Sequence, residues 1–363
     1  MEAFSRALPP GAMNFVSGSG RTTMPPIMAT GDIDGLAFIG GKDAADDLIR
    51  QHPHPHRLKV FLQMEAKNMG VSGLVSERIS YWNHNLTFLF KKRNDLQIFL
   101  PDLFQKGKEA EFENALDEAV LGSLSFNGQR CTALKLFFVP KSHGEFFARA
   151  LSQRVNSMNV GLPWQRWPNE DGSTTYSNIT PLPNQKRINY MKHLIEDAVG
   201  KGAKVINPNG GMIFGGPEST LMVPAILYPV TEDMKVYHEE QFGPVIPITT
   251  YDSLEPILNY GQNGIYAQQV SIFTSNQDSE GAATLLDRFS SVFGKININS
   301  QCGRSPDNLP FSGRRSSAMG VMSVQDALRE FSIPTVVAYK DSKTNEAIVK
   351  GMEESSRFLL PLA

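Results

Sequence analysis

Apolar residues along this 363-residue chain gather into short runs separated by glycine- and proline-rich turns. Residues 36–39, 58–64, 136–139, 225–228 and 245–250 are runs of strand length, and 42–50, 142–155 and 185–201 read as helices. Strands alternating with helices predict an α/β protein built on a parallel sheet with crossover connections. Weaker signals extend this reading at both ends. Residues 2–7 read as the tail of a helix broken by Pro9-Pro10-Gly11, and 13–16 as a short strand ending in Ser17-Gly18-Ser19-Gly20. Residues 323–331 read as a late helix and 335–339 as a final strand; 340–363 turn from polar to apolar without an assignable element. Residues 71–97 carry neither period and read as an insertion.

Composition changes this picture little. The net charge of −2, with 41% hydrophobic and 20% charged residues, gives no electrostatic case for nucleic acid or an anionic membrane surface. No apolar run reaches the roughly 18 residues of a membrane span, and the first residues lack a signal-peptide pattern. The expected compartment is the cytosol. The chain is long enough for two domains with their own cores. Its two cysteines, Cys131 and Cys302, are expected to be reduced thiols rather than a disulfide.

Chemistry concentrates around Cys131. It follows Phe126-Asn127-Gly128-Gln129-Arg130 and precedes Thr132-Ala133, where a helical stretch gives way to an apolar strand. A thiol attacks as thiolate, and Arg130 beside it can supply a positive field. Glu65, at the end of the 58–64 run, is a candidate general base, since partial desolvation raises a carboxylate toward a useful range. Gly18-Ser19-Gly20 and Gly40-Gly41 are candidate phosphate-facing turns, the latter before the predicted helix starting at Lys42. His52-Pro53-His54-Pro55-His56 has no accompanying cysteine or carboxylate cluster and reads as a solvated turn, so no metal is expected. Asn85-Leu86-Thr87 matches a glycosylation sequon by spelling alone.

The string around Cys131 closely resembles the active-site cysteine signature of the aldehyde dehydrogenase superfamily. Its variant, Phe126 to Ala133, resembles the branch of non-phosphorylating, NADP-dependent glyceraldehyde-3-phosphate dehydrogenases. A second segment, Glu239-Glu240-Gln241-Phe242-Gly243-Pro244-Val245, resembles the family's Glu-Glu-x-Phe-Gly-Pro-Val. The resemblance implies an aldehyde dehydrogenase-like fold, a partial Rossmann-type cofactor domain plus an α/β catalytic domain. It implies a small-molecule aldehyde substrate, NADP or NAD as cofactor, and a homo-oligomer (dimer or tetramer), with no nucleic acid or membrane partner. Cys131 would be the nucleophile and Glu65 the base. Gly20, Phe38, Gly40, Gly41, Glu240 and Phe242 would face the cofactor, and Arg130 and Arg304 would bind substrate phosphate.

Two departures accompany the resemblance. The family's Glu-Leu-Gly-Gly-Lys turn stands here as Glu65-Ala66-Lys67-Asn68, shorter and without glycines. The family's long N-terminal section, with its adenosine-ribose contacts and an oxyanion-binding asparagine, has no counterpart, and a misplaced start is the expectation. The expected segments are 1–70, a remnant of the dinucleotide-binding domain; 71–97, an insertion; 98–312, the catalytic domain; and 313–363, a return helix, oligomerisation strand and tail. The codons for Val71-Ser72 and Leu96-Gln97 can spell splice boundaries, so a retained intron is the expectation for 71–97. Two alternatives stay open: a dehydrogenase of another small semialdehyde, and an inactive homologue acting as a binding or subunit-interaction protein.

Overall fold

A computed structural model describes residues 6–71, 97–275, 279–333 and 335–356. Two compact units result, residues 1–324 and 325–363. In the first, strands β1 (Gly35–Ile39) and β2 (Lys59–Gln63) flank helix α1 (Lys42–Gln51) in sequence. β3 (Asn68–Val71), β4 (Gln97–Phe99) and β5 (Leu134–Pro140) follow, then β6 (Lys204–Val205), β7 (Ala225–Tyr228) and β8 (Val245–Tyr251). β9 (Gln269–Phe273), β10 (Lys295–Ile298) and β11 (Ala318–Met319) complete the two sheets that frame the site.

The smaller sheet has the order β1-β2-β11. β1 and β2 pair in parallel across α1, while β11 runs antiparallel to β2. Side chains on β1 alternate, with Leu36 buried and Phe38 partly buried against a core that includes Ala45, Leu48, Leu58 and Leu62. α1 contributes Ala45 and Leu48 to that core and carries Asp43 in its first turn and Arg50 in its last, each complementing the helix dipole.

The larger sheet runs β10-β9-β3-β4-β5-β8-β7-β6 and is parallel apart from β6. β5 is buried at every position, as expected for a central strand covered on both faces. Two apolar cores line the sheet. One includes Leu136, Phe138, Met191 and Tyr260; the other includes Phe99, Leu116, Phe137 and Phe147. The ring of Phe99 stacks on Phe273 with centroids 4.7 Å apart and tilts on Phe147 at 4.4 Å.

β3 and β4 share one slot between β5 and β9. On the β5 side, Gly70 lies opposite Phe137 and Ile98 opposite Phe138, consecutive positions. On the β9 side, Gly70 meets Ser271, Val71 meets Ile272 and Phe99 meets Phe273. Residues 72–96, most of the expected insertion, lie outside the described residues. The register of the slot is therefore carried across the break by residues on either side of it. β3 also places the end of the expected first segment in the middle of the larger sheet.

Several expectations are corrected. Residues 13–16 form no strand: Met13, Phe15 and Val16 are exposed, and no strand among the described residues pairs with them. The glycine turn at Gly18-Ser19-Gly20 instead opens a helix, Gly20–Ala29, with Ser19 as its N-cap. Of the expected helix at 2–7, Arg6 and Ala7 are helical and residues 2–5 lie outside the described residues. In the second unit, 335–339 form no strand. A helix there, Lys343–Ser355, was not expected; its N-cap Ser342 accepts from the backbone N–H of Asn345 at 3.1 Å. Among the described residues, no helix is long and apolar enough to cross a membrane.

Candidate active site

Parallel strands present ligand sites at their carboxyl ends, and here β1 ends in Ile39-Gly40-Gly41 while β2 ends before Met64-Glu65. A cleft of about 1230 Å³ opens there, and Gly40, Gly41, Glu65, Arg130, Cys131, Glu240 and Phe242 all line it. Its other cations come from a helix, Gln185–Gly200, whose buried face is Ile188, Met191, Leu194 and Ala198. That spacing turns Lys186, Arg187 and Tyr190 toward the cleft. Asn184 caps this helix, accepting from the backbone N–H of Arg187 at 3.0 Å.

Cys131 sits in a tight turn. Ala133 N–H donates to the carbonyl of Arg130 at 3.1 Å, which makes Cys131 and Thr132 the central residues. Phe126, Asn127 and Gly128 immediately before it all have positive φ. Gly128 is required: at φ +70° a Cβ there would lie 2.6 Å from the carbonyl oxygen of Gly243 and 2.7 Å from that of Ser123. Asn127 is anchored by accepting from Thr180 N–H at 2.9 Å. Among the described residues, nothing accepts from the Cys131 backbone N–H.

Glu65 is half-buried, and its Oε2 accepts from the Tyr266 hydroxyl at 2.9 Å. Its Oε1 lies 3.1 Å from where a Cβ on Gly41 would stand, so the glycine admits the carboxylate. The three residues after Glu65 tie the site together. Ala66 N–H donates to Glu240 Oε1 at 3.3 Å. Lys67, wholly buried, donates to the carbonyls of Val236 (2.6 Å) and Glu239 (2.8 Å) and to Gln241 Oε1 (2.7 Å). Burial, and then the like charge of Lys135, push this amine well below the usual lysine range. Three acceptors match the three donors an ammonium carries. Asn68 donates to the carbonyl of Cys131 at 2.7 Å.

Glu240 is paired with buried Lys135, whose ammonium also lies 5.0 Å from the centre of the Phe242 ring. Arg187 approaches the same ring at 5.6 Å. Phe242 holds φ +42°, a backbone region uncommon for a bulky residue and found most often at functional sites. Tyr190 donates to Glu239 Oε2 at 2.9 Å; burial and then this carboxylate hold its phenol neutral above its ordinary range.

Gly20, Phe38 and Arg304 are not brought to this cleft. Gly20 is the exposed first residue of its helix. Phe38 shares a strand face with Leu36 and packs into the small core, so that Ile39 lines the cleft in its place. Arg304 is exposed, pairs with Asp307 at 3.4 Å and lies over Phe311. The loop that carries it reaches the site through Gln301, whose Oε1 accepts from Arg130 at 3.0 Å. Arg130 also donates to the carbonyl of Gly122 at 3.2 Å, so part of its guanidinium closes the end of helix Glu109–Leu124. Cys302 is fully buried beside Ser271. Among the described residues, no group of histidine, cysteine or carboxylate side chains is arranged to hold a metal.

Sequence reasoning missed Lys67, Asn68, Lys135, Tyr190, Arg187 and Tyr266. One signal was available: Lys135 interrupts an apolar strand, and a lysine buried in a strand needs a paired charge.

The sequence pattern of the aldehyde dehydrogenase family matches residues 107–337. The NADP-dependent glyceraldehyde-3-phosphate dehydrogenase of Streptococcus equinus is 33% identical over 218 residues, covering 60% of this chain and 42% of the relative. The sulfoacetaldehyde dehydrogenase of Neptuniibacter caesariensis is 28% identical over 225 residues, covering 62% of this chain and 45% of the relative. A crystal structure of NADP-dependent glyceraldehyde-3-phosphate dehydrogenase from Bacillus halodurans, complexed with NADP, superposes with a TM-score of 0.66 at 24% identity. That match covers 87% of this chain and 54% of the other. The chain thus spans less than half the length of these two curated relatives.

Proposed function

The chain belongs to the aldehyde dehydrogenase family, and on that premise we propose that it oxidises an aldehyde to the carboxylic acid, with NADP or NAD as hydride acceptor. The observation that carries this reading is one cleft lined by Cys131, Glu65, Glu240 and Phe242 together.

The residues present suit a dinucleotide. Lys135 and Ala66 both engage Oε1 of Glu240 and, among the described residues, leave Oε2 for a vicinal diol. Gly41 stands at the N-terminus of α1 with no side chain to cap it, which leaves backbone N–H groups for phosphate. Phe242 offers a ring face at the cleft. NADP or NAD, when bound, supplies the hydride acceptor.

The Cys131 thiolate adds to the aldehyde carbon, and the carbonyl π pair moves to oxygen. The Cys131 backbone N–H stands as a donor to that oxyanion, a contact whose loss costs on the order of 10²–10³ in rate in such sites. Loss of hydride from the former aldehyde carbon, as the oxyanion pair re-forms the carbonyl, leaves an acyl thioester on Cys131. Glu65 then takes a proton from water. The hydroxide oxygen bonds to the acyl carbon, the C–S bond breaks, and the thiolate returns to Cys131. Tyr266 fixes one oxygen of Glu65 and leaves the other to meet water.

The finer proposal is glyceraldehyde 3-phosphate as substrate and 3-phosphoglycerate as product. It is supported by the similar glyceraldehyde-3-phosphate dehydrogenase and by Arg130, Lys186 and Arg187 lining the cleft. Arg304, outside the cleft and paired with Asp307, favours a second reading, another small anionic aldehyde such as a sulfonate or carboxylate semialdehyde. The test is NADPH formation, without inorganic phosphate, from glyceraldehyde 3-phosphate, sulfoacetaldehyde and succinate semialdehyde. The highest kcat/KM should fall on the phosphorylated aldehyde. Preference for another anion supports the second reading, and no reduction with any of them contradicts the enzyme proposal.

A further inference from the structure

Asn68 is wholly buried, yet it lies three residues from Glu65 and reaches the nucleophile's own turn. Its amide nitrogen donates to the carbonyls of Cys131 (2.7 Å) and Ala133 (3.1 Å), and its amide oxygen accepts from Gln269 N–H at 3.2 Å. Two acceptors on one side and a donor on the other fix which end of the amide is which. The backbone alone does not provide these contacts. Where β3 pairs with β5 the register shifts between Asn68 and Met69, and the ladder starts at Leu134, beyond the Cys131 turn. The side chain therefore stands in for ladder partners that the turn cannot have.

We propose that Asn68 is a positioning residue for Cys131: it locks the peptide plane that follows the nucleophile and ties it to the segment carrying Glu65. The inference rests on Cys131 being the nucleophile. A carbonyl held on its far side leaves the Cys131 turn one orientation, so thiol and free N–H keep a fixed relation to the cleft. Cofactor-facing Glu240 and Phe242 are held separately, by Lys67 and Lys135. The two effects should therefore come apart.

The experiment compares Asn68→Ala, and Asn68→Asp of nearly equal volume, with the unaltered chain. Turnover is expressed per Cys131 thiol that iodoacetamide can alkylate, counted by peptide mapping, which corrects for misfolded protein. A misplacement of about 1 Å can cost on the order of 10²-fold in rate. We expect kcat per thiol to fall about 10- to 100-fold in both variants, with KM and the NADP dissociation constant changed less than about threefold. The aspartate should fail like the alanine, because it keeps the shape and loses the donor. Unchanged kcat per thiol in either variant overturns the proposal, as does loss of soluble folded protein in both, which would assign Asn68 to stability alone. Failure of the nucleophile reading has a different signature: Cys131→Ala would keep its turnover.

Discussion

The two walls of the cleft are built on opposite principles. One, formed by Glu65 to Asn68 with Lys135 and Glu239 to Gln241, is stitched by buried polar side chains with partners 63 to 201 residues away. The other, Ile39-Gly40-Gly41, is mostly backbone; Ile39 is 78% exposed and the two glycines carry no side chain at all. The chemistry proposed for each differs in the same way. Nucleophile, base and ribose ligand need fixed positions, so their wall is over-determined by hydrogen bonds. A phosphate needs close backbone approach, so its wall is stripped bare.

The largest effect should come from the stitched wall. Lys135→Met would strand Glu240 in a half-buried site beside Phe242, and breaking such a pair costs about 3–5 kcal/mol. Urea denaturation should show that loss, and the double variant Lys135→Met/Glu240→Gln should recover most of it. A loss that is no smaller in the double variant would mean that the lysine acts through packing rather than charge.

A smaller effect tests how the same wall meets the larger sheet. Joining Gly70 directly to Ile98 would place Ile98 opposite both Phe138 and Ile272, the positions that Ile98 and Val71 now fill from two separate strands. The shortened chain should fold with its melting temperature within a few degrees of the parent or above it, since shortening a loop changes closure entropy only slowly. Loss of the cooperative transition would show that residues 71–97 are needed to form the slot. Smallest of all should be Gly41→Ala, which asks the flexible end of Glu65 to yield a few tenths of an ångström. Stability should change by less than about 1 kcal/mol; a drop matching Lys135→Met would erase the contrast between the walls.

Much of this was legible in the sequence, and the pattern of what was not is physical. β1, α1, β2, β5, β7 and β8 were readable because each is a local run with its own period. Cys131 and the Glu240-Phe242 segment, which line one cleft, stood out in the sequence because their signatures are contiguous. Residues 13–16 have strand composition but, among the described residues, no strand beside them, and a strand exists only in a pair. Phe38 and Ile39 were confused because a glycine turn reveals where a strand ends without revealing which face its last residues take. Lys67, Asn68 and Tyr266 were invisible since their partners are remote in the chain: Asn68 reaches Cys131 across 63 residues and Tyr266 reaches Glu65 across 201. Arg304 looked like a ligand by position, but it stands exposed beside Asp307 and does not line the cleft.

The central claim is that Cys131 is the nucleophile of this cleft, and thiol mapping tests it most directly. The native chain would be treated with iodoacetamide for increasing times, with each cysteine quantified by peptide mapping and residual dehydrogenase turnover read from the same samples. Cys131, half-buried at the cleft, should be modified first, with turnover falling in step. Cys302, fully buried, should stay unmodified until denaturant is added. Turnover that survives complete modification of Cys131, or that tracks Cys302 instead, would contradict the account.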